Sequence, residues 1–152
     1  MKAIQKVWAS WAFSAAAALF LAVHAVGFYW PAAWWVAHGE VFVNTSVVGG
    51  PVFIHTDRKV HREHRADWSV SLHKQGLGGK NWGVVCQGSG SSIYRPENEL
   101  PVPLTLSWWA GEPCQVSALG LYRIDTSWDL QVWPFPKRVT VTSNVFSVAD
   151  QR

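Results

Sequence analysis

Four histidines, His55, His61, His64 and His73, fall in one stretch, and His61 with His64 has the His-x-x-His spacing that can turn two imidazoles toward a metal. A zinc site needs three or four convergent ligands. Here Arg58, Lys59, Arg62 and Arg65 are interspersed with the histidines and would repel a cation, so the stretch reads as a solvated loop or edge strand. Glu97 and Glu99 are candidate paired carboxylates, but beside Pro96 and Pro101 they read as solvent-facing neighbours in an extended loop. Cys86 as a nucleophile would need a nearby base and a depressed pKa. Gly88-Ser89-Gly90-Ser91-Ser92 has the glycines of a phosphate-binding loop without its lysine or a following helix, and reads as a plain loop. There is no Gly-x-Ser-x-Gly nucleophile elbow. Asn44-Thr45-Ser46 fits a glycosylation acceptor, which has meaning only in a eukaryotic secretory pathway. No catalytic residue, metal site or cofactor is therefore assigned.

Two groups keep chemical interest. Arg58, Lys59, His61, Arg62, His64 and Arg65, set against only Asp57 and Glu63, form a candidate interaction patch for an anionic partner. An equally simple account is a basic strand edge guarded against unwanted pairing. The second group is the tryptophans, which can serve as stacking platforms for sugars or peptides when exposed. Charge argues against nucleic acid: from Glu40 onward there are eleven Lys or Arg against ten Asp or Glu, and the remaining positive charge is Lys2 and Lys6. A nucleic-acid binder gathers positive charge on its folded part.

The elements that must position these groups begin with an anchor. From Val7 to Trp30 there is no Lys, Arg, Asp or Glu. As a helix this run is about 36 Å long, enough to cross a hydrocarbon core of about 30 Å. It is apolar all round rather than striped, and Pro31 ends it. Lys2 and Lys6 precede it and Glu40 is the first charge after it, which places the N-terminus in the cytoplasm and the bulk of the chain outside. Tyr29, Trp30, Trp34 and Trp35 form the expected membrane-interface belt. The alternative is a secreted domain released by cleavage after Ala25. His24 stands alone in the span and reads as a neutral imidazole near its outer end.

Beyond Gly39 the pattern becomes alternating, the mark of half-buried strands. Trp68, Val70 and Leu72, then Leu104, Leu106 and Trp108, then Tyr122, Ile124, Thr126 and Trp128, and finally Val139 and Val141, are expected to face a core. Strands are predicted over about 41–48, 52–56, 68–74, 83–87, 104–109, 121–130 and 138–148, with no helix. The expected architecture is mainly β: residues 1–38 as cytoplasmic stub and transmembrane anchor, and 39–150 as an antiparallel Ig-like β-sandwich. Gly120, Leu121 and Tyr122 open a strand as a tyrosine corner does. Cys86 and Cys114, outside the cytoplasm, should pair as a disulfide. With Trp68, Trp108 and Trp128 assigned to the core, Trp82, Trp109 and Trp133 remain as candidates for exposed rings.

The stretch Val85 to Trp128, with Cys86, Ile93-Tyr94-Arg95-Pro96, Leu104 to Trp109, Cys114 and Gly120-Leu121-Tyr122, together with Val141 to Phe146, resembles bacterial and phage single-span membrane proteins that carry a small Ig-like outer domain. The resemblance implies a bacterial or prophage setting, an inner-membrane anchor and a periplasmic domain. The function expected is that of a non-enzymatic, membrane-tethered binding or accessory module. Its partners would be membrane lipid through the helix and an envelope protein or anionic lipid, not nucleic acid. The alternatives are an envelope enzyme, favoured by a cleft holding converging His and carboxylate groups, and a phage factor for lysis or superinfection exclusion.

Overall fold

The computed structural model describes residues 2–111 and 114–150, with side chains from Trp11 onward. The side chains of Lys2 and Lys6, and Glu112 and Pro113 ahead of Cys114, lie outside the described residues. The chain forms two compact units, one of residues up to Pro31 with Trp133–Phe135, the other of Ala32–Val132 with the chain from Pro136.

The first unit is built on helix α1, Lys2–Tyr29. Ala15 to Ala18 supply the best intrinsic helix formers. Its segment Trp11–Tyr29 has a mean hydropathy of 1.8, long and apolar enough to cross a bilayer. Trp11, Phe13, Leu19, Phe20 and Leu21 are all exposed, so the helix has no buried stripe of the kind that packs on a protein core. His24 donates from Nδ1 to the Phe20 carbonyl at 2.8 Å, which satisfies one ring nitrogen locally. The helix ends at Tyr29, two residues before Pro31.

The second unit is mainly β, with nine strands in two sheets among the described residues. After a 3₁₀ turn at Ala32–Trp34 come β1 (Val36–Val43), β2 (Ser46–Val47), β3 (Phe53–Val60), β4 (His64–Gln75) and β5 (Trp82–Tyr94). The two-residue strand β6 (Leu104–Thr105) leads into helix α2 (Leu106–Ala110), followed by β7 (Gly120–Gln131), β8 (Lys137–Thr142) and β9 (Phe146–Ala149). One sheet has the order β1-β3-β6; the other runs β2-β9-β7-β4-β5, with β8 also on β7. β1 starts at Val36, ahead of the expected domain junction at residue 38.

Alternation explains the larger sheet. Tyr122, Ile124, Thr126, Trp128 and Leu130 of β7 are buried, and β4 sets Val70 opposite Thr126 and Leu72 opposite Ile124. Ile124, Val70 and Leu72 have no solvent exposure, the condition under which losing methylenes is most costly. The expected Cys86–Cys114 bridge is present, with Cα atoms 5.4 Å apart, and holds the chain after α2 to β5. Tyr122 donates its phenol to the Ala118 carbonyl at 2.7 Å, as the corner motif requires.

Three expectations fail for identifiable reasons. The predicted strand over 104–109 is a strand for only two residues before it turns into α2, because the Thr105 hydroxyl caps the helix by accepting from the Trp108 amide at 3.3 Å. The helical step turns Leu106 and Trp109 inward together, so Trp108 is 59% exposed and Trp109 only 9%. Second, Gly88 to Ser92 is not a loop but the middle of β5, paired with β4. A Cβ on Gly88 would strike the Ala110 backbone, and one on Gly90 the Trp68 indole, so the glycines admit close approach rather than a turn. Third, the single strand expected over 138–148 breaks at Ser143-Asn144-Val145. Ser143 accepts from the Ile124 amide at 2.9 Å, while Asn144 bonds both the amide and the carbonyl of Val43, tying β1 of the smaller sheet to the larger one.

Candidate functional site

On the inward faces of β7 and β4, tryptophans lie between buried residues, with Thr126 and Val70 on one side and Leu130 and Ala66 on the other. Trp68 and Trp128 stand opposite each other on neighbouring strands, and α2 brings Trp109 to within 5.9 Å of Trp128, ring centre to ring centre. These rings, with Trp108 and Tyr94, wall an open cleft of about 560 Å³. That volume lies in the range of small-molecule sites. Its polar groups come from elsewhere in the chain: His38 from β1, Thr56 and Arg58 from β3, Ser92 from β5, and Glu97, Asn98 and Glu99 from the loop after β5.

His38 and Arg58 are opposite residues of the β1–β3 pair, which puts both at one wall. The His38 ring stacks on Trp128 at 3.9 Å with a 22° tilt, and its Nε2 is buried with no hydrogen-bond partner. Burial, with the nearby charge of Arg58 and then of His64 adding to it, lowers its pKa to about 4. His38 is therefore a neutral ring at physiological pH. Arg58 lies 5.0 Å over the Tyr94 ring and donates to the Asn98 carbonyl at 3.4 Å, while its Nε is buried without a partner. Burial lowers the Arg58 pKa, but a guanidinium keeps its charge. Burial also raises the Tyr94 pKa against the opposing pull of Arg58, so the phenol stays protonated. A buried polar nitrogen without a partner costs free energy, and both of these lie beside the cleft.

The structure divides the sequence-defined basic patch. Arg58 enters the cleft. His64 is buried, donates from Nδ1 to the Arg62 carbonyl at 2.8 Å and stacks on Tyr94. Lys59, His61, Arg62 and Arg65 are exposed, but Arg62 lies over the Trp34 ring and Arg65 bonds Ser91. The proposed interface belt divides as well: Tyr29 is 81% exposed at the helix end, whereas Trp35 packs against the core of the second unit. Of the candidate exposed rings, Trp133 is 78% exposed, Trp109 is buried and Trp82 is partly covered beneath Arg123 at 4.7 Å. Among the described residues no three His, Cys, Asp or Glu are placed to hold a metal ion.

A second polar cluster lies on the outward side of the larger sheet, where His73 and Arg123 both reach Asp125, at 3.2 and 3.3 Å. It bridges β4 and β7, which suits cross-strand pairing, though Arg123 Nε and Asp125 Oδ1 are themselves buried without partners. Sequence reasoning missed His38, which it places in the membrane-proximal segment, whereas Glu97 and Glu99 are exposed as expected and line the cleft. Alternation of Val36 with His38 in register with β3 was the available signal. Comparison with family models, with curated proteins and with solved structures found no match.

Proposed function

We propose that this chain is a non-enzymatic, membrane-tethered binding or accessory module of a bacterial envelope, of bacterial or prophage origin, whose outer domain holds a saccharide in the tryptophan-walled cleft. The observation that carries the reading is the pairing of exposed and half-buried indoles with inward polar groups of both kinds. A pyranose ring has one face of C–H groups, which suits an indole face, and a rim of hydroxyls that both donate and accept. Arg58 offers donors, Glu97 and Glu99 offer acceptors, and neutral His38, stacked on Trp128, lines the wall without adding charge. One cation beside two carboxylates does not suit a polyanion.

The apolar helix, the lysines before it and the disulfide beyond it support a single span in the inner membrane with the domain in the periplasm. The two sheets are read as an Ig-like sandwich, a reading supported by the Tyr122 corner and by Asn144 joining the sheets. The grouping of His38 with Glu97 and Glu99 favours a second reading, an envelope enzyme that cleaves the saccharide it binds.

The test uses the full chain in detergent, screened against immobilised glycans and then titrated by calorimetry. The binding reading expects a saccharide bound by the wild type, lost in Trp108→Ala and in Arg58→Gln, kept in Arg65→Ser, and recovered intact. No saccharide bound, or equal binding by Trp108→Ala, would overturn it; cleaved product would favour the enzyme.

A further inference from the structure

The unit that contains α1 also contains Trp133, Pro134 and Phe135, the tip of the connection between β7 and β8. This tripeptide carries no charge, and its proline contributes no backbone donor. Trp133 is 78% exposed, a large apolar ring at a loop tip where polar residues are usual. Pro134 lies on Gly27, the only glycine in α1, so closely that any Cβ there would overlap the proline ring. Glycine inside a helix costs about 1 kcal/mol relative to alanine, and this contact accounts for its presence. Phe135 sets its ring edge-on to His24 at 5.4 Å, on a helical residue whose other ring neighbour is Phe20 at 3.9 Å.

We propose that Trp133–Phe135 is a second membrane-contacting element, seated beside α1 in the outer leaflet with lipid as its partner. The proposal rests on α1 crossing the bilayer. Its depth follows from the helix. His24 lies five residues before Tyr29. At 1.5 Å per residue, it is roughly 7 Å inside the helix end. Phe135 beside it enters the edge of the hydrocarbon, and Trp133 takes the boundary, where an indole keeps its body in lipid and its N–H near water. Phe135 and Phe20 also cover the imidazole, a polar group that bare hydrocarbon would penalise. The loop thus adds an attachment point to the single helix.

Cys86 and Cys114 are bridged, so one introduced cysteine gives a single labelling site. Full chains bearing Trp133→Cys, Leu21→Cys in α1 or Leu77→Cys at the exposed β4–β5 turn are labelled with an environment-sensitive fluorophore and reconstituted in phosphatidylcholine vesicles. Quenching by lipid-borne nitroxide is then compared with quenching by aqueous iodide. The proposal expects position 133 to be quenched by lipid nitroxide, as position 21 is, with an iodide slope several-fold smaller than at position 77. Position 133 as open to iodide as position 77, with position 21 still quenched from lipid, would overturn the loop while leaving the anchor standing. Iodide access at both 133 and 21 would overturn both.

Discussion

β7 passes through two environments. At its Tyr122 end the inward side chains are closed over: Tyr122 bonds Ala118, Ser143 bonds Ile124, and Asn144 satisfies both backbone groups of Val43. Around Trp128, ahead of the buried Leu130, the same inward face borders the cleft, where His38 Nε2 and Arg58 Nε are buried without partners and Trp108 is 59% exposed. One stripe of alternating residues therefore serves as core at one end and as the border of a site around Trp128. The difference teaches where to look for function. The hydrogen bonds of Tyr122, Ser143 and Asn144 tie the fold together, and the unpartnered nitrogens of His38 and Arg58 beside an exposed indole are the basis of the proposed site.

The comparison can be broken by stability measurements on the full chain in detergent. The largest effect is expected from removing the bridge. Closing the loop between cysteines 28 positions apart contributes about 3.5 kcal/mol in the chain-entropy model. Denaturant unfolding of the Cys86→Ser, Cys114→Ser double variant should show a loss of that order. Because Cys114 follows α2, the variant should also loosen the Trp108–Trp109 wall. An unchanged midpoint would remove the bridge from the account.

At the closed end, Ile124→Ala should cost about 3 kcal/mol, within the range for large-to-small changes in a packed core. A loss below about 1 kcal/mol would mean that this end is not the packed half.

pH sharpens the comparison at the open end. His38 is held neutral, its pKa lowered from 6.5 to about 4. Between those values the unfolded chain binds a proton that the folded chain does not, so the stability attached to His38 is complete above the upper value and is lost as pH falls toward the lower. Unfolding of wild type and His38→Phe followed from pH 7.5 to 4 should show the wild type losing more stability across that window. Parallel curves would contradict the burial of the ring. The smallest stability effect is expected from Trp108→Ala, within about 0.5 kcal/mol for an exposed side chain, although it should abolish saccharide binding.

The closed end was the legible one. Alternation alone marks Val70, Leu72, Tyr122 and Ile124, and cysteine count with compartment marks the bridge. The open end was not legible, because its residues come from positions as far apart as His38, Arg58, Tyr94 and Trp109, and only strand pairing brings them together. Leu104 to Trp109 misled for a different reason: over six residues an alternating pattern and a capped helical turn are hard to tell apart, and the Thr105 cap decided for the helix. Gly88 to Ser92 misled because its glycines answer to the neighbouring Trp68 and Ala110, which local sequence does not reveal.

The most direct test of the central claim follows the indole N–H signals of the nitrogen-labelled full chain in nanodiscs as the saccharide selected by the glycan screen is added. The account predicts saturable shifts for the signals of Trp68, Trp108, Trp109 and Trp128, assigned by single substitution, while Trp82 beneath Arg123 stays in place. Shifts confined to Trp82 or to the membrane-proximal tryptophans, or no shift at saturating ligand, would contradict a binding site in the cleft.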